Sequence, residues 1–175
     1  MTGVEQFFDW LEHTGISLWV RGDSMLAFPL ILTVHTIGMG FLAGTNWAIA
    51  LRILGVAPSV PVPALEKFYP IIWTALAANA VTGVLLFLGY PYKAATNPVF
   101  YAKLTFIAVG IVLVLKIRNE VLRRVPGDST GDLMFAHRAK RLAAASAISW
   151  VGAITAGRLL AYTFHWLRVG IPGGF

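Results

Sequence analysis

Cysteine is absent from this chain of 175 residues. Its absence excludes disulfides, thiolate metal sites and iron–sulfur clusters, because each of these needs the cysteine sulfur. Any metal chemistry must therefore use histidine, methionine or a preassembled cofactor.

Charge is also scarce. Only 13% of the residues are charged, 57% are hydrophobic, and the mean hydropathy is +0.71. This composition excludes a soluble domain with a single buried core. Because about 20 apolar residues cross the hydrocarbon of a bilayer, the sequence predicts an all-α integral membrane four-helix bundle with spans at about 24–51, 68–92, 98–119 and 138–167. The bundle itself is expected to occupy residues 24–175.

The basic residues are distributed unevenly between the two sides of the predicted bundle. Nine lie in the loops after the first and third spans, against five on the opposite side. Cytoplasmic loops are enriched in Lys and Arg, so we expect a bacterial inner-membrane protein with both termini periplasmic. The pI of about 10.0 is explained by these flanking charges, and we expect no nucleic-acid partner. The nine are Arg52, Lys67, Lys116, Arg118, Arg123, Arg124, Arg138, Lys140 and Arg141.

Residues 1–23 have an amphipathic pattern. Val4, Phe7 and Leu11 recur at helical intervals, and Thr2 with Glu5 has capping-box spacing. No basic n-region or cleavage site is present, so we expect no cleaved signal peptide. The pattern predicts a periplasmic interfacial helix that ends near residue 15 and serves as an anchor or as a lid over an outward-facing site.

Small residues recur at four-residue spacing in two spans. Gly40 and Gly44 lie in the first span, and Ala145, Ser149, Ala153 and Gly157 lie in the fourth. Such stripes let membrane helices approach closely, so we expect both to lie at helix contacts.

The predicted spans contain no Asp or Glu, although His35, Lys103 and Arg158 lie inside them. An ionisable group at membrane depth is costly and indicates a functional site by default. His35 and Arg158 are each 17 residues from the basic residue that marks their span's cytoplasmic end, about 25 Å at the helical rise. Lys103 and Thr82 fall within one or two turns of this level. We therefore expect one polar layer that receives an anionic partner from outside the chain.

A b-type haem fits this layer. A neutral imidazole of His35 can ligate iron, and Arg158 and Lys103 can donate charge-assisted hydrogen bonds to propionates. Arg158, Tyr162 and His165 are spaced i, i+4, i+7 and share one face of the last span. We therefore predict a cofactor site at His35, His165, Arg158, Lys103 and Tyr162, with His35 and His165 as metal ligands.

Each of these residues also has a structural interpretation. His35 can form an interhelical hydrogen bond, Lys103 can extend to the membrane surface, and Arg158 can reach a lipid phosphate. His165 lies about two turns from the level of His35, so the second axial ligand is open. The candidates for it are His165, His13 and Met39.

Three short motifs carry a family resemblance. They are His-Thr-Ile-Gly-Met-Gly at 35–40, Leu-Arg-Ile-Leu at 51–54 and Tyr-Ala-Lys-Leu at 101–104. With them the whole chain resembles an uncharacterised bacterial family of four-helix integral membrane proteins. More distantly it resembles the HemJ-type protoporphyrinogen oxidases and the CopD-type copper-resistance membrane proteins.

The HemJ resemblance implies haem or porphyrin near His35 and Lys103, with Arg52 at the cytoplasmic end. Two features depart from that pattern. The second histidine that HemJ proteins have soon after the arginine is absent, and Arg158 does not belong to the pattern. The resemblance therefore implies a tetrapyrrole site without implying oxidase activity.

Three functions follow from these observations. The first is a haem subunit that relays electrons between the quinone pool and a periplasmic partner, with quinone against Tyr162 or Trp166. The second is a cofactor-free assembly or anchor subunit that binds other membrane or redox subunits, or a second copy of itself. The third is copper handling, because imidazole and thioether suit Cu(I). Its ligands would be His35, Met39 and His165.

Overall fold

The computed structural model describes residues 3–22, 26–123 and 132–163. Nearly all of these residues are helical, which confirms the predicted all-α class. The predictions for the start of the first span, the turn after the third span and His165 lie outside the described residues. The helices are α1 Gly3–Glu12, α2 Gly15–Arg21, α3 Phe28–Leu54, α4 Tyr69–Gly89, α5 Pro91–Ala95, α6 Pro98–Lys116 and α7 Asp132–Tyr162, with a 3-10 segment Val62–Phe68 before α4 and a π segment Ile117–Leu122 after α6.

Four of these helical stretches are long and apolar enough to cross a membrane, as predicted, and they fit a multi-pass membrane protein. They are Phe28–Leu54, Val62–Gly89, Pro98–Leu122 and Phe135–Tyr162.

All four stretches extend beyond the predicted spans at one end, and the extensions of the second and third add acidic residues. The second begins in the 3-10 segment, where a proline is tolerated in the first turn, and the third continues through the π segment. These extensions place Glu66 and Glu120 on helix ends beside several of the predicted cytoplasmic cations. We call this end of the bundle the basic end, defined by Arg52, Lys67, Lys116, Arg118, Arg138 and Arg141.

The bundle has three closely packed helix pairs, which are α6 with α7, α3 with α4, and α3 with α7. Helices α4 and α6 meet mainly through side chains. The Tyr69 hydroxyl donates to the Val114 carbonyl at 3.0 Å, and the Phe87 and Phe100 rings stack with centroids 5.6 Å apart. Large aromatic side chains therefore bridge the α4–α6 seam near both of its ends.

Small residues mediate the close helix contacts, but only some of the predicted ones. Ser149 and Ala153 are buried, as expected, and Gly157 lies against Lys103, but Ala145 is exposed. The prediction for Gly40 and Gly44 is wrong, because a Cβ at either position would meet nothing within 4 Å. The glycine of α3 that contacts α4 is Gly38, where a Cβ would lie 2.5 Å from the Asn79 amide nitrogen.

The N-terminal segment forms two helices. Helix α1 exposes apolar side chains, among them Phe7 and Trp10, as an interfacial helix should. Residue 15 lies at the predicted break and also begins α2, which Thr14 caps through its side chain. Val20 of α2 is fully buried against Gly89 at the end of α4. The second helix is therefore part of the packed bundle.

Candidate functional site

A hydrogen bond between His35 and Thr82 lies at the centre of the predicted polar layer. The distance from His35 Nδ1 to Thr82 Oγ1 is 2.8 Å. The Thr82 hydroxyl donates its own proton to the Ala78 carbonyl at 2.6 Å, so its oxygen accepts from Nδ1–H. A neutral imidazole carries one N–H, which leaves the lone pair on Nε2. The contact thus selects the tautomer whose Nε2 is able to bind a metal.

The local sequence makes room for this contact. The residue after Thr82 is Gly83, and a Cβ there would lie 3.4 Å from His35 Cε1. Thr82 is buried and His35 is half-buried. The imidazole therefore lies close against the backbone of α4.

Lys103 lies on α6, which packs closely against α7. Its side chain is half-buried and runs along Gly157 of α7, with Nζ 3.9 Å from the position that a Cβ would take. Within the described ranges, Lys103 forms no ion pair with a carboxylate. The layer thus contains a cation that no described Asp or Glu neutralises.

The aromatic pair of the α4–α6 seam lies next to this layer. Phe87 follows Thr82 by about one and a half turns of α4, and Phe100 precedes Lys103 by about one turn of α6. The stacked rings therefore separate the polar groups from the end of the bundle opposite the basic end.

Arg158 and Tyr162 are exposed on α7, and within the described residues no hydrogen bond or ion pair joins either of them to His35 or Lys103. His165 lies outside the described residues.

The two other candidate ligands differ in their surroundings. His13 is 70% exposed at the end of α1, where its Nδ1 lies 2.7 Å from the Asp9 carbonyl. Met39 is half-buried one turn beyond His35 on α3. Of these two candidate second ligands, Met39 is the nearer to His35 in sequence, four residues away on the same helix.

The basic end contains a second polar cluster, which the sequence analysis missed. Glu66 Oε1 lies 3.2 Å from an Arg118 nitrogen and 2.9 Å from Arg123 Nε. The Arg118 guanidinium also lies over the Tyr69 ring, 4.9 Å from its centroid. This cluster, together with the ion pair between Glu120 and Arg138 at 2.8 Å, joins the helix ends. In the sequence, this cluster is indicated by Glu66 next to Lys67 and by Glu120 between Arg118 and Arg123.

Arg52 has a local structural role. It donates to the backbone carbonyls of Val60 and Pro58 and so holds the loop between α3 and the 3-10 segment. Its donors therefore face this loop, at the basic end.

An apolar groove of about 490 Å³ lies between α3 and α4. Its lining contains no ionisable side chain and does not include His35. Across the described ranges, no three His, Asp or Glu side chains form a cluster that could hold a metal ion. The groove lining is Val34, Ile37, Gly38, Phe41, Pro70, Ile71, Thr74, Ala75 and Ala78.

Comparisons with protein-family models, curated proteins and solved structures give no match. The resemblance to HemJ-type and CopD-type proteins therefore stays a prediction from three short motifs.

Proposed function

We propose that the chain is a b-type haem-binding subunit of a bacterial inner membrane that relays electrons between the quinone pool and a periplasmic-side partner. The observation that carries the proposal is the His35–Thr82 hydrogen bond, which leaves Nε2 of an intramembrane imidazole with its lone pair. A metal-binding histidine usually donates its other ring nitrogen to a neighbouring group in this way. In this proposal the basic end faces the cytoplasm.

The residues of the layer fit a haem in charge and chemistry. His35 would be an axial ligand, Thr82 would orient its ring, and Lys103 would donate to a propionate. The haem, when bound, supplies one-electron redox chemistry. The Phe87–Phe100 pair would limit access of water from the adjacent end of the bundle. Arg158 is left out of this set because its side chain is exposed.

An absorption spectrum of the detergent-solubilised protein from haem-replete cells tests the proposal. We expect a Soret band in the wild type and its loss or strong decrease in His35→Ala. His137→Ala is the matched control, because His137 is exposed near the opposite end of α7, and it should keep the band. A colourless wild type, or a His35→Ala variant with the full band, would refute the proposal.

The same preparation distinguishes the two other functions that the sequence allows. An assembly or anchor subunit would be colourless, would retain partner chains and would tolerate His35→Ala. Copper handling would give stoichiometric copper in elemental analysis without a porphyrin spectrum. The uncompensated ammonium of Lys103 disfavours copper, because it repels a bare cation at the same level.

A further inference from the structure

Arg158 lies on an exposed stripe of α7 whose side chains through the middle of the helix are apolar apart from Thr155. Ile148, Val151 and Ile154 precede it on this stripe, and all three are exposed. Tyr162 follows at i+4 and is 71% exposed. In a membrane-spanning helix, such a stripe faces lipid or another chain. A guanidinium and a phenol therefore stand together at one end of this apolar face.

The charge of Arg158 has no partner within the described part of the chain. No described Asp or Glu lies within ion-pair distance of it. A cation that faces hydrocarbon is costly unless it pairs or reaches the interface. The arrangement therefore calls for an anion from outside the bundle.

The depth of Arg158 indicates where this anion lies. From Arg141 to Tyr162 the helix rises about 31 Å, close to the thickness of the hydrocarbon core. Arg158 is about 6 Å short of Tyr162 along the axis, a distance that an extended arginine side chain spans. Asn97, at the start of α6, donates to Thr163 at 3.2 Å, so both helices end at this level. A hydrocarbon core that extends from Arg141 to Tyr162 would place the headgroup phosphates of one leaflet at this level.

We propose that Arg158 and Tyr162 bind the phosphate of a phospholipid in the leaflet at the Tyr162 end of α7. The planar guanidinium can donate two parallel hydrogen bonds to phosphate oxygens, and the phenol can donate another. Ile148, Val151 and Ile154 lie on the same face, between Arg158 and the basic end. Their apolar side chains can contact the acyl chains of the same lipid. A phosphate is favoured over the carboxylate of a partner chain because every bilayer supplies phosphates at this depth. This site is independent of the proposed haem function.

Native mass spectrometry of the full chain in detergent tests the site, with titration of dioleoyl phosphatidylglycerol and of diolein. The two lipids share their acyl chains, but diolein lacks the phosphate. We expect the wild type to bind the phospholipid more tightly than diolein. Arg158→Gln should weaken phospholipid binding about fivefold, the order that one basic residue contributes at an anionic membrane surface. The phospholipid affinity of Arg158→Lys should lie between those of the wild type and Arg158→Gln, because lysine keeps the charge but cannot donate two parallel hydrogen bonds.

Arg52→Gln is the matched control, since Arg52 already donates to carbonyls of its own chain, and it should bind phospholipid as the wild type does. Equal binding of both lipids by the wild type would overturn the proposal even if a variant failed to fold. Unchanged phospholipid binding by a folded Arg158→Gln would also overturn it. If that variant instead lost a co-purified protein, the partner would be a carboxylate of another chain. If it lost only the Soret band, Arg158 would serve the cofactor.

Discussion

The imidazole of His35 and the hydroxyl of Thr82 join α3 to α4 through a hydrogen bond of 2.8 Å. When the Thr82 hydroxyl donates to the Ala78 carbonyl at 2.6 Å, its oxygen accepts from Nδ1–H of His35. The bond therefore orients the ring and presents Nε2 to the bundle. After substitution of His35 itself, substitution of Thr82 is therefore the most direct test of the site.

Thr82→Val keeps the shape of the side chain and removes the acceptor for Nδ1–H. We expect haem affinity to fall about tenfold or more, as is typical when the partner of a metal-binding histidine is removed. Haem titration of the purified protein followed at the Soret band measures this change. Thr45→Val is the control, since that hydroxyl bonds only to its own helix. Wild-type affinity in Thr82→Val would show that Thr82 does not orient a ligand.

Lys103→Met should weaken haem binding and lower the midpoint potential. A lysine that donates to a propionate places its positive charge close to the iron, and a nearby cation favours the reduced, less positive iron. Removing it therefore stabilises the oxidised state. A redox titration measures the shift, with Lys103→Arg expected to restore part of it. Lys67→Met is the control, because Lys67 is exposed at the basic end, and it should leave the midpoint potential unchanged. A midpoint potential that Lys103→Met does not change would contradict the placement of Lys103 beside the cofactor.

Gly38→Ala should destabilise the bundle, whereas Gly40→Ala should not. A Cβ at Gly38 would lie 2.5 Å from the amide nitrogen of Asn79, which is buried and donates to the Ala75 carbonyl. Overpacking of this kind costs about 1–3 kcal/mol, while Gly40 faces open space and gains helix propensity. Thermal unfolding in detergent compares the two. Equal melting temperatures would contradict the α3–α4 packing described above.

The glycines of the 35–40 motif show what could be predicted from the sequence. The length of the apolar runs correctly predicted four spans, and the helical rise placed His35 and Thr82 near one level, where they form a hydrogen bond. The rise gives depth but not the direction in which a side chain points, and these helices are apolar nearly all round. The sequence therefore does not distinguish Gly38 from Gly40 as the glycine that contacts α4, nor an interior Arg158 from an exposed one. The cluster around Glu66 was missed because it depends on the helix extensions at the basic end.

Glu66→Gln should lower the melting temperature more than Glu120→Gln. Glu66 pairs with both Arg118 and Arg123 and so links the 3-10 segment to the π segment, whereas Glu120 pairs with one cation among the described residues, Arg138. Neutralising Glu66 leaves two guanidinium groups beside each other without their carboxylate. Thermal unfolding at low and high salt measures both variants, and salt should reduce the difference by screening these partly exposed pairs. A larger loss in Glu120→Gln would show that the Glu66 cluster is not the main clamp at this end.

Gly89→Ala should loosen α2 from the bundle, and Val20→Ala should compensate. A Cβ at Gly89 would lie 2.8 Å from Val20 Cγ1, and Val20 is fully buried, so α2 has to shift when the methyl group is added. Arg21 at the end of α2 pairs with Glu12, and the shift should expose its peptide bond to trypsin. Limited proteolysis should therefore show faster cleavage after Arg21 in Gly89→Ala. The double variant removes two methyl groups opposite the one that is added, so its cleavage rate should return toward that of the wild type. If the double variant were cleaved as fast as Gly89→Ala, the contact between Val20 and Gly89 would not be what holds α2 against α4.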